Sequence, residues 1–207
     1  MIELTGGADL VQICLRSEGA VTGRLVLVVG PSGVGKDSVL RYAMAHFTGD
    51  ARFVFPRRCV TRAVDVAAED HDSLDERTFD ELAGRGDFAL VWEAHGHKYG
   101  VRSDIHTELQ RGCIVAVNVS RTIIAEVAGR YKNAMVVEIT ADLSVREARL
   151  AARGREAADD IQQRTRREVA TPAHPLPHHV VRNDGEISDA GDEFCKLLAS
   201  LNSQLAE

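Results

Sequence analysis

The chain is poor in the residues that staple, ligate or anchor. Its four cysteines, Cys14, Cys59, Cys113 and Cys195, stand far apart and form no CxxC pair. That spacing argues against a zinc site and against a disulfide framework. Cys59 and Cys113 lie in apolar stretches, so buried free thiols and a reducing cytoplasm are the expectation. The eight histidines have no metal-ligand spacing, and His178-His179 is not an HExxH helix. No segment approaches the ~20 consecutive apolar residues of a membrane span. Residues 1–23 carry Glu3 and Asp9 and lack a basic leader region, so they read as an N-terminal extension, not a secretory signal. Basic residues are outnumbered: 25 Lys and Arg against 31 Asp and Glu give a net charge of −6, which speaks against nucleic acid as the main partner. A small phosphorylated ligand needs only a local basic pocket and stays open. No Ser/His/Asp or Cys/His constellation for nucleophilic catalysis is evident.

What is present is concentrated in one stretch. The apolar run 25–29 is followed by Gly30, Pro31, Ser32, Gly33, Val34, Gly35, Lys36, Asp37 and Ser38, and then by an amphipathic segment. This is a buried strand, a glycine-rich turn and a helix start. Glycines let a backbone wrap a polyphosphate with successive N–H groups aimed at its oxygens. The helix N-terminus adds partial positive charge, and Lys36 a full one for the β- and γ-phosphates. The stretch is a P-loop in its required strand–turn–helix context. It departs from the usual pattern at one position. Where a Ser or Thr hydroxyl normally binds Mg²⁺, this chain has Asp37. Ser38 carries a hydroxyl but lies about 100° further round the helix. Asp37 offers a hard carboxylate oxygen and is the candidate Mg²⁺ ligand.

Short apolar runs alternate with amphipathic stretches. Strands are expected at 25–29, 89–92, 114–119, 135–139 and 179–182. Helices are expected at 38–47, 74–83, 103–110, 121–130, 143–153, 159–169 and 187–205, with Ser73 and Glu76 at capping-box spacing before the second. Such β–α alternation implies an α/β fold, a parallel sheet with helices on both faces. Ligands then bind at the carboxyl ends of the strands, where 93–100, 118–121 and 183–185 should converge on the P-loop. The acidic stretch 65–75 reads as a surface loop of a smaller inserted subdomain. Lys98-Tyr99-Gly100 reads as a tight turn, with Tyr99 either core or a hydroxyl donor to phosphate.

Arginines crowd into 146–167: Arg146, Arg149, Arg153, Arg155, Arg164, Arg166 and Arg167. Singly each fits a solvated helical face, but Arg153-Gly154-Arg155 breaks the helical pattern at a hinge. Phosphoryl transfer is catalysed by positioning and charge neutralisation, and a closing arginine lid supplies both while excluding water. Arg153 and Arg164 are the candidate catalytic arginines, with Arg155 and Arg167 behind them. A second basic cluster, Arg57-Arg58 with Arg62, precedes Glu69-Asp70-His71-Asp72. Cations beside carboxylates suit a ligand with both phosphate and hydroxyl groups. An acceptor that is itself a phosphate needs no general base, because its second pKa is about 6.

These motifs resemble the guanylate-kinase-like P-loop kinases: the loop itself, Val60-Thr61-Arg62, His95 to Gly100, Arg149 to Arg155, Arg164 and Asn183-Asp184, together spanning 25–185. The resemblance implies a three-layer P-loop NTPase fold over 24–207, an acceptor-binding insertion at about 52–100 and a lid at about 153–165. Three polar positions that read guanine in that group are Leu90, Val101 and Arg58 here. The acidic pair usual on the 115–119 strand is replaced by Ala116 and Asn118. These departures match another family. The aspartate after the P-loop lysine, Thr61-Arg62 followed by Glu69 and His71, Tyr99-Gly100-Val101, Asn118-x-Ser120-Arg121, Arg153 to Glu156 and Asn183 to Gly185 look like the ribose 1,5-bisphosphate phosphokinases of phosphonate catabolism. That resemblance implies transfer of the ATP γ-phosphoryl to the 1-phosphate of a sugar bisphosphate, with Mg²⁺. It implies the loop and Lys36 on the ATP phosphates, and Asn183 and Asp184 near the adenine. Arg58, Arg62, Tyr99 and Arg121 would hold acceptor phosphates, and Glu69 and His71 its hydroxyls. The partners are then ATP and a phosphorylated sugar, with a homodimer as the entertained assembly. Two rival readings are a nucleoside monophosphate kinase with altered base reading and an interaction module that has lost catalysis.

Overall fold

The computed structural model describes residues 22–62, 71–152 and 171–205. In chain order the elements begin with β1 (Arg24–Val29), α1 (Lys36–His46), β2 (Phe53–Val54), β3 (Arg58–Val60), β4 (His71–Ser73), α2 (Glu76–Gly84), β5 (Phe88–Ala94) and β6 (His97–Arg102). They continue with α3 (Ile105–Gln110), β7 (Ile114–Asn118), a 3-10 turn (Arg121–Ile123), α4 (Ile124–Arg130), β8 (Ala134–Thr140), α5 (Leu143–Ala152), β9 (His178–Arg182) and α6 (Ile187–Leu205). They group into two compact units, the smaller from residue 58 to 106.

The larger unit holds a five-stranded sheet in the order β2-β7-β1-β8-β9, parallel throughout. Every residue of β1 from Leu25 to Val29 is buried, on both faces of the strand. Side chains alternate across a strand, so two covered faces demand an apolar residue at every position. Val26 and Val28 pack with Val39 and Ala43 of α1 and with Phe194 and Leu198 of α6. α4 lies against β8. Helices thus cover the sheet, as expected from the β–α alternation. None of the described helices is long and apolar enough to cross a membrane.

The smaller unit corrects the sequence reading. The run 89–92 is not a strand of the parallel sheet. It belongs to β5, at one edge of a separate mixed sheet ordered β4-β3-β6-β5. An apolar run reports burial, not which sheet buries it. β3 pairs parallel with β4, while β6 runs antiparallel to both β3 and β5. Lys98-Tyr99-Gly100 is not a turn but the middle of β6. The turn lies at His95 and Gly96, with φ of 53° and 72°, between the paired Ala94 and His97. Two successive positive φ values suit a two-residue hairpin whose twist matches its strands. Residues 71–73 are likewise not loop but β4, and His71 is buried. Asp75, not Ser73, caps α2: its carboxylate accepts from the Thr78 backbone N–H at 2.9 Å and from the Thr78 hydroxyl at 2.8 Å. Cys59 packs with Phe79, Leu82 and Phe88 beneath this helix. Cys59, Cys113 and Cys195 are free, buried thiols, and burial raises the pKa of each.

Candidate active site

The P-loop leaves β1, the central strand of the parallel sheet. Gly30, Gly33 and Gly35 adopt φ of 140°, 84° and 87°, a region in which side chains other than glycine are strained. Space excludes them as well. A Cβ on Gly30 would collide with the Ile139 carbonyl oxygen of β8, and one on Gly35 would come within 2.5 Å of the Asn183 Nδ2. Gly35 is also the left-handed N-cap of α1, which opens on Lys36. The Lys36 Nζ donates to the carbonyls of Gly30 at 2.7 Å and Pro31 at 3.0 Å. The lysine is therefore folded back over the loop whose phosphates it would meet.

Three side chains from neighbouring elements hold this loop, and a fourth, Arg149, holds one of the three. At the end of β7, the Asn118 Nδ2 donates to the Asp37 Oδ1 at 2.8 Å. Just past β9, the buried Asn183 donates through Nδ2 to the Val34 carbonyl at 2.7 Å. From α5, the Arg146 Nε donates to the Ser32 carbonyl at 3.1 Å, and Arg146 is only 3% exposed. Arg149, one turn further on, donates to the Asn183 carbonyl at 2.7 Å and reaches the Gly185 carbonyl at 3.4 Å. Arg146 is thus no solvated helical residue but part of the loop's support. Its signal in the sequence was the i, i+3 spacing with Arg149, which sets both on one face of a helix that follows the strand beside β1.

The Asn183 Oδ1 is buried with no hydrogen-bond partner among the described residues. It is an acceptor beside the loop, suited to a ligand N–H. Asp184 is engaged otherwise. Its Oδ1 accepts from the Asp142 N–H at 2.6 Å and its Oδ2 from the Arg182 Nε at 2.8 Å. These contacts hold its carboxyl below the ordinary range. Ser38 lies in the first turn of α1, and Arg121 opens the 3-10 turn after β7, capped by Ser120. The residues present fit Mg²⁺ bound together with a nucleotide. That ion takes one or two carboxylates plus substrate phosphates, and Asp37 offers one carboxylate beside the loop.

Of the candidate acceptor residues, Arg58, Arg62, His71 and Tyr99 belong to the smaller unit and Arg121 to the larger. His71, Arg58, Val101 and Leu90 are register partners in succession across β4, β3, β6 and β5. Cross-strand partners share a face. The positions where guanine readers would stand therefore form one row, with His71 at its end. Leu90 and Val101 are 1% and 0% exposed. Val60, Tyr99 and Trp92 form the next row of the same face, and the buried Tyr99 ring stacks on Trp92 at 5.4 Å. Arg62 follows Thr61, which β6 holds in place: the Lys98 N–H donates to the Thr61 Oγ1 at 2.9 Å. The segment 93–100 lies in this mixed sheet and follows no strand of the P-loop sheet, contrary to the expected convergence. Glu69, Arg153, Arg155, Arg164, Arg166, Arg167, the 159–169 helix and the proposed lid lie outside the described residues.

A parallel sheet with a glycine loop and lysine at the end of its central strand defines a P-loop NTPase fold. A solved guanylate kinase from Anaplasma phagocytophilum shares it, with a TM-score of 0.62 and 16% identity over 86% of this chain and 85% of that one. No protein-family model matches the chain. Curated proteins named ribose 1,5-bisphosphate phosphokinase PhnN are nearer in sequence. The Brucella melitensis protein is 41% identical over 83% of this chain and 90% of its own length. The Agrobacterium fabrum protein is 37% identical over 84% and 95%, and the Bradyrhizobium diazoefficiens protein 48% identical over 71% and 74%. The chain belongs to the ribose 1,5-bisphosphate phosphokinase family.

Proposed function

We propose that this protein transfers the γ-phosphoryl group of ATP to the 1-phosphate of ribose 1,5-bisphosphate, forming 5-phosphoribosyl 1-diphosphate and ADP. The P-loop holds the ATP phosphates, and Asn183 accepts from the adenine amino group through its buried Oδ1. Mg²⁺, held through Asp37, neutralises phosphate charge when bound. An ionised oxygen of the 1-phosphate attacks the γ-phosphorus, and the bond from γ-phosphorus to the β-bridging oxygen breaks. No side chain has to take a proton, since the attacking phosphate is ionised at neutral pH. Lys36 stabilises the charge on the transferring group, and Arg153 and Arg164 close over it. Arg58, Arg62, Tyr99 and Arg121 hold the acceptor's phosphates, and Glu69 and His71 its hydroxyls.

The observation that carries the choice of acceptor is the row Arg58, Val101, Leu90. It replaces hydrogen-bonding base readers by one cation and two buried apolar groups. A purine edge set against Leu90 and Val101 would lose its hydrogen bonds, which costs far more than a lost methylene. A sugar bisphosphate has no base to read and two phosphates for cations to hold. The test is ADP release with Mg-ATP and, separately, ribose 1,5-bisphosphate, ribose 5-phosphate or GMP. Turnover with the bisphosphate alone is expected. Turnover with GMP alone would establish a nucleotide kinase, and no binding of Mg-ATP by calorimetry would point to an inactive interaction module.

A further inference from the structure

We infer that Asp37 and Asn118 are a transposed metal-holding pair, in which the carboxylate and its neutral hydrogen-bonding partner have exchanged places, so that Asn118 is the positioning residue for Asp37. The inference rests on the reading of the loop as a Mg-ATP site. In P-loop enzymes the neutral group is a Ser or Thr after the loop lysine, and the carboxylate is an aspartate on a strand. Here the residue after Lys36 is Asp37. The residue at the carboxyl end of β7, the strand beside β1 and in register with Val28, is Asn118. The two side chains touch at 2.8 Å. An ionised carboxylate can only accept, so the amide turns its N–H₂ toward Asp37. The pair keeps one negative charge and one donor between them, as a hydroxyl–carboxylate pair does, with the charge moved onto the loop. Asn118 is 6% exposed and cannot swing away, so it fixes the rotamer of Asp37. Buried neighbours that orient a metal ligand typically contribute about 10–100-fold to metal affinity or activity.

This makes the exchange reversible by mutation. Asp37→Ser leaves the pair with no carboxylate. Asn118→Asp puts a second carboxylate against the first and removes the N–H donor that held it. The double variant Asp37→Ser/Asn118→Asp rebuilds the ordinary pair. The experiment measures ATP affinity by calorimetry with and without Mg²⁺, and turnover, for all four proteins. Asp37→Ser should lose about 10–100-fold of the affinity gained on adding Mg²⁺. Affinity for metal-free ATP should not fall in Asp37→Ser, which removes a negative charge, and should fall in Asn118→Asp, which adds one. The double variant should regain most of that loss, and the recovery should appear only with Mg²⁺ present, which a merely structural contact would not give. An Asp37→Ser variant that keeps the wild-type Mg²⁺ gain would overturn the inference. So would a double variant with no more Mg²⁺ gain than Asp37→Ser while melting at the wild-type temperature. Should the double variant not fold, Asn118→Leu decides: an unchanged Mg²⁺ gain refutes the positioning role, and a lost one with intact metal-free binding upholds it. A wild-type protein that does not bind Mg-ATP would remove the nucleotide reading itself, a distinct outcome.

Discussion

Lys36 is the residue on which the nucleotide reading turns. It donates to two loop carbonyls, which keeps its ammonium over the loop before any phosphate arrives. Lys36→Ala should lower kcat by on the order of 10³-fold or more, the scale seen when a preorganised charge partner is removed from a transition state. The melting temperature should hold, and steady-state kinetics beside a thermal melt checks both. Asp184 makes a different forecast. Its bonds to Asp142 and Arg182 depress its pKa, so its folded value lies below the unfolded one. The stabilisation it gives is fully present above the ordinary carboxylate value of about 3.9 and is lost as pH falls through the folded value. Asp184→Asn should therefore melt below the wild type at neutral pH, and the gap should close below about pH 4 in a melt series. Some of these residues were plain in the sequence and some were not. Glycine spacing and a lysine announce a phosphate loop because their chemistry is local. The bonds from Asn118 to Asp37 and from Asn183 to Val34 join residues 81 and 149 positions apart, and no local pattern carries them.

Elements differ in legibility for the same reason. β1 and β7 announce themselves because a strand covered on both faces reads as a nearly continuous apolar run, 25–29 and 114–117. α6 was read at its observed bounds, since nineteen residues give several turns of periodicity. β3 and β4 have three residues each and carry Arg58, His71 and Asp72, so they show neither alternation nor an apolar run. Their order depends on β6 pairing with both β3 and β5, which sequence does not disclose. The row that results gives the third prediction. Arg58 lies between His71 and Val101 in register, and in the proposed function it holds an acceptor phosphate. Arg58→Ala should raise the KM for ribose 1,5-bisphosphate by at least about tenfold, the loss of one charge-assisted bond, with the KM for ATP unchanged. Equal effects on both KM values would mean that the sheet had been disturbed instead.

At the scale of the whole molecule, the described residues form two compact units, each with its own sheet. The larger one carries a loop braced by Asn118, Arg146 and Asn183, so most of the phosphate cradle is built before a ligand arrives. The smaller one presents a mixed sheet with Arg58, Val101 and Leu90 in one row. Family membership joins these into one expected reaction, and the product distinguishes it from every rival. The most direct measurement is phosphorus NMR of the mixture after incubation of the protein with Mg-ATP and ribose 1,5-bisphosphate. The account predicts a new pair of coupled diphosphate signals from the sugar, rising in step with those of ADP. ADP formed with GMP, and no sugar diphosphate formed from the bisphosphate, would contradict it.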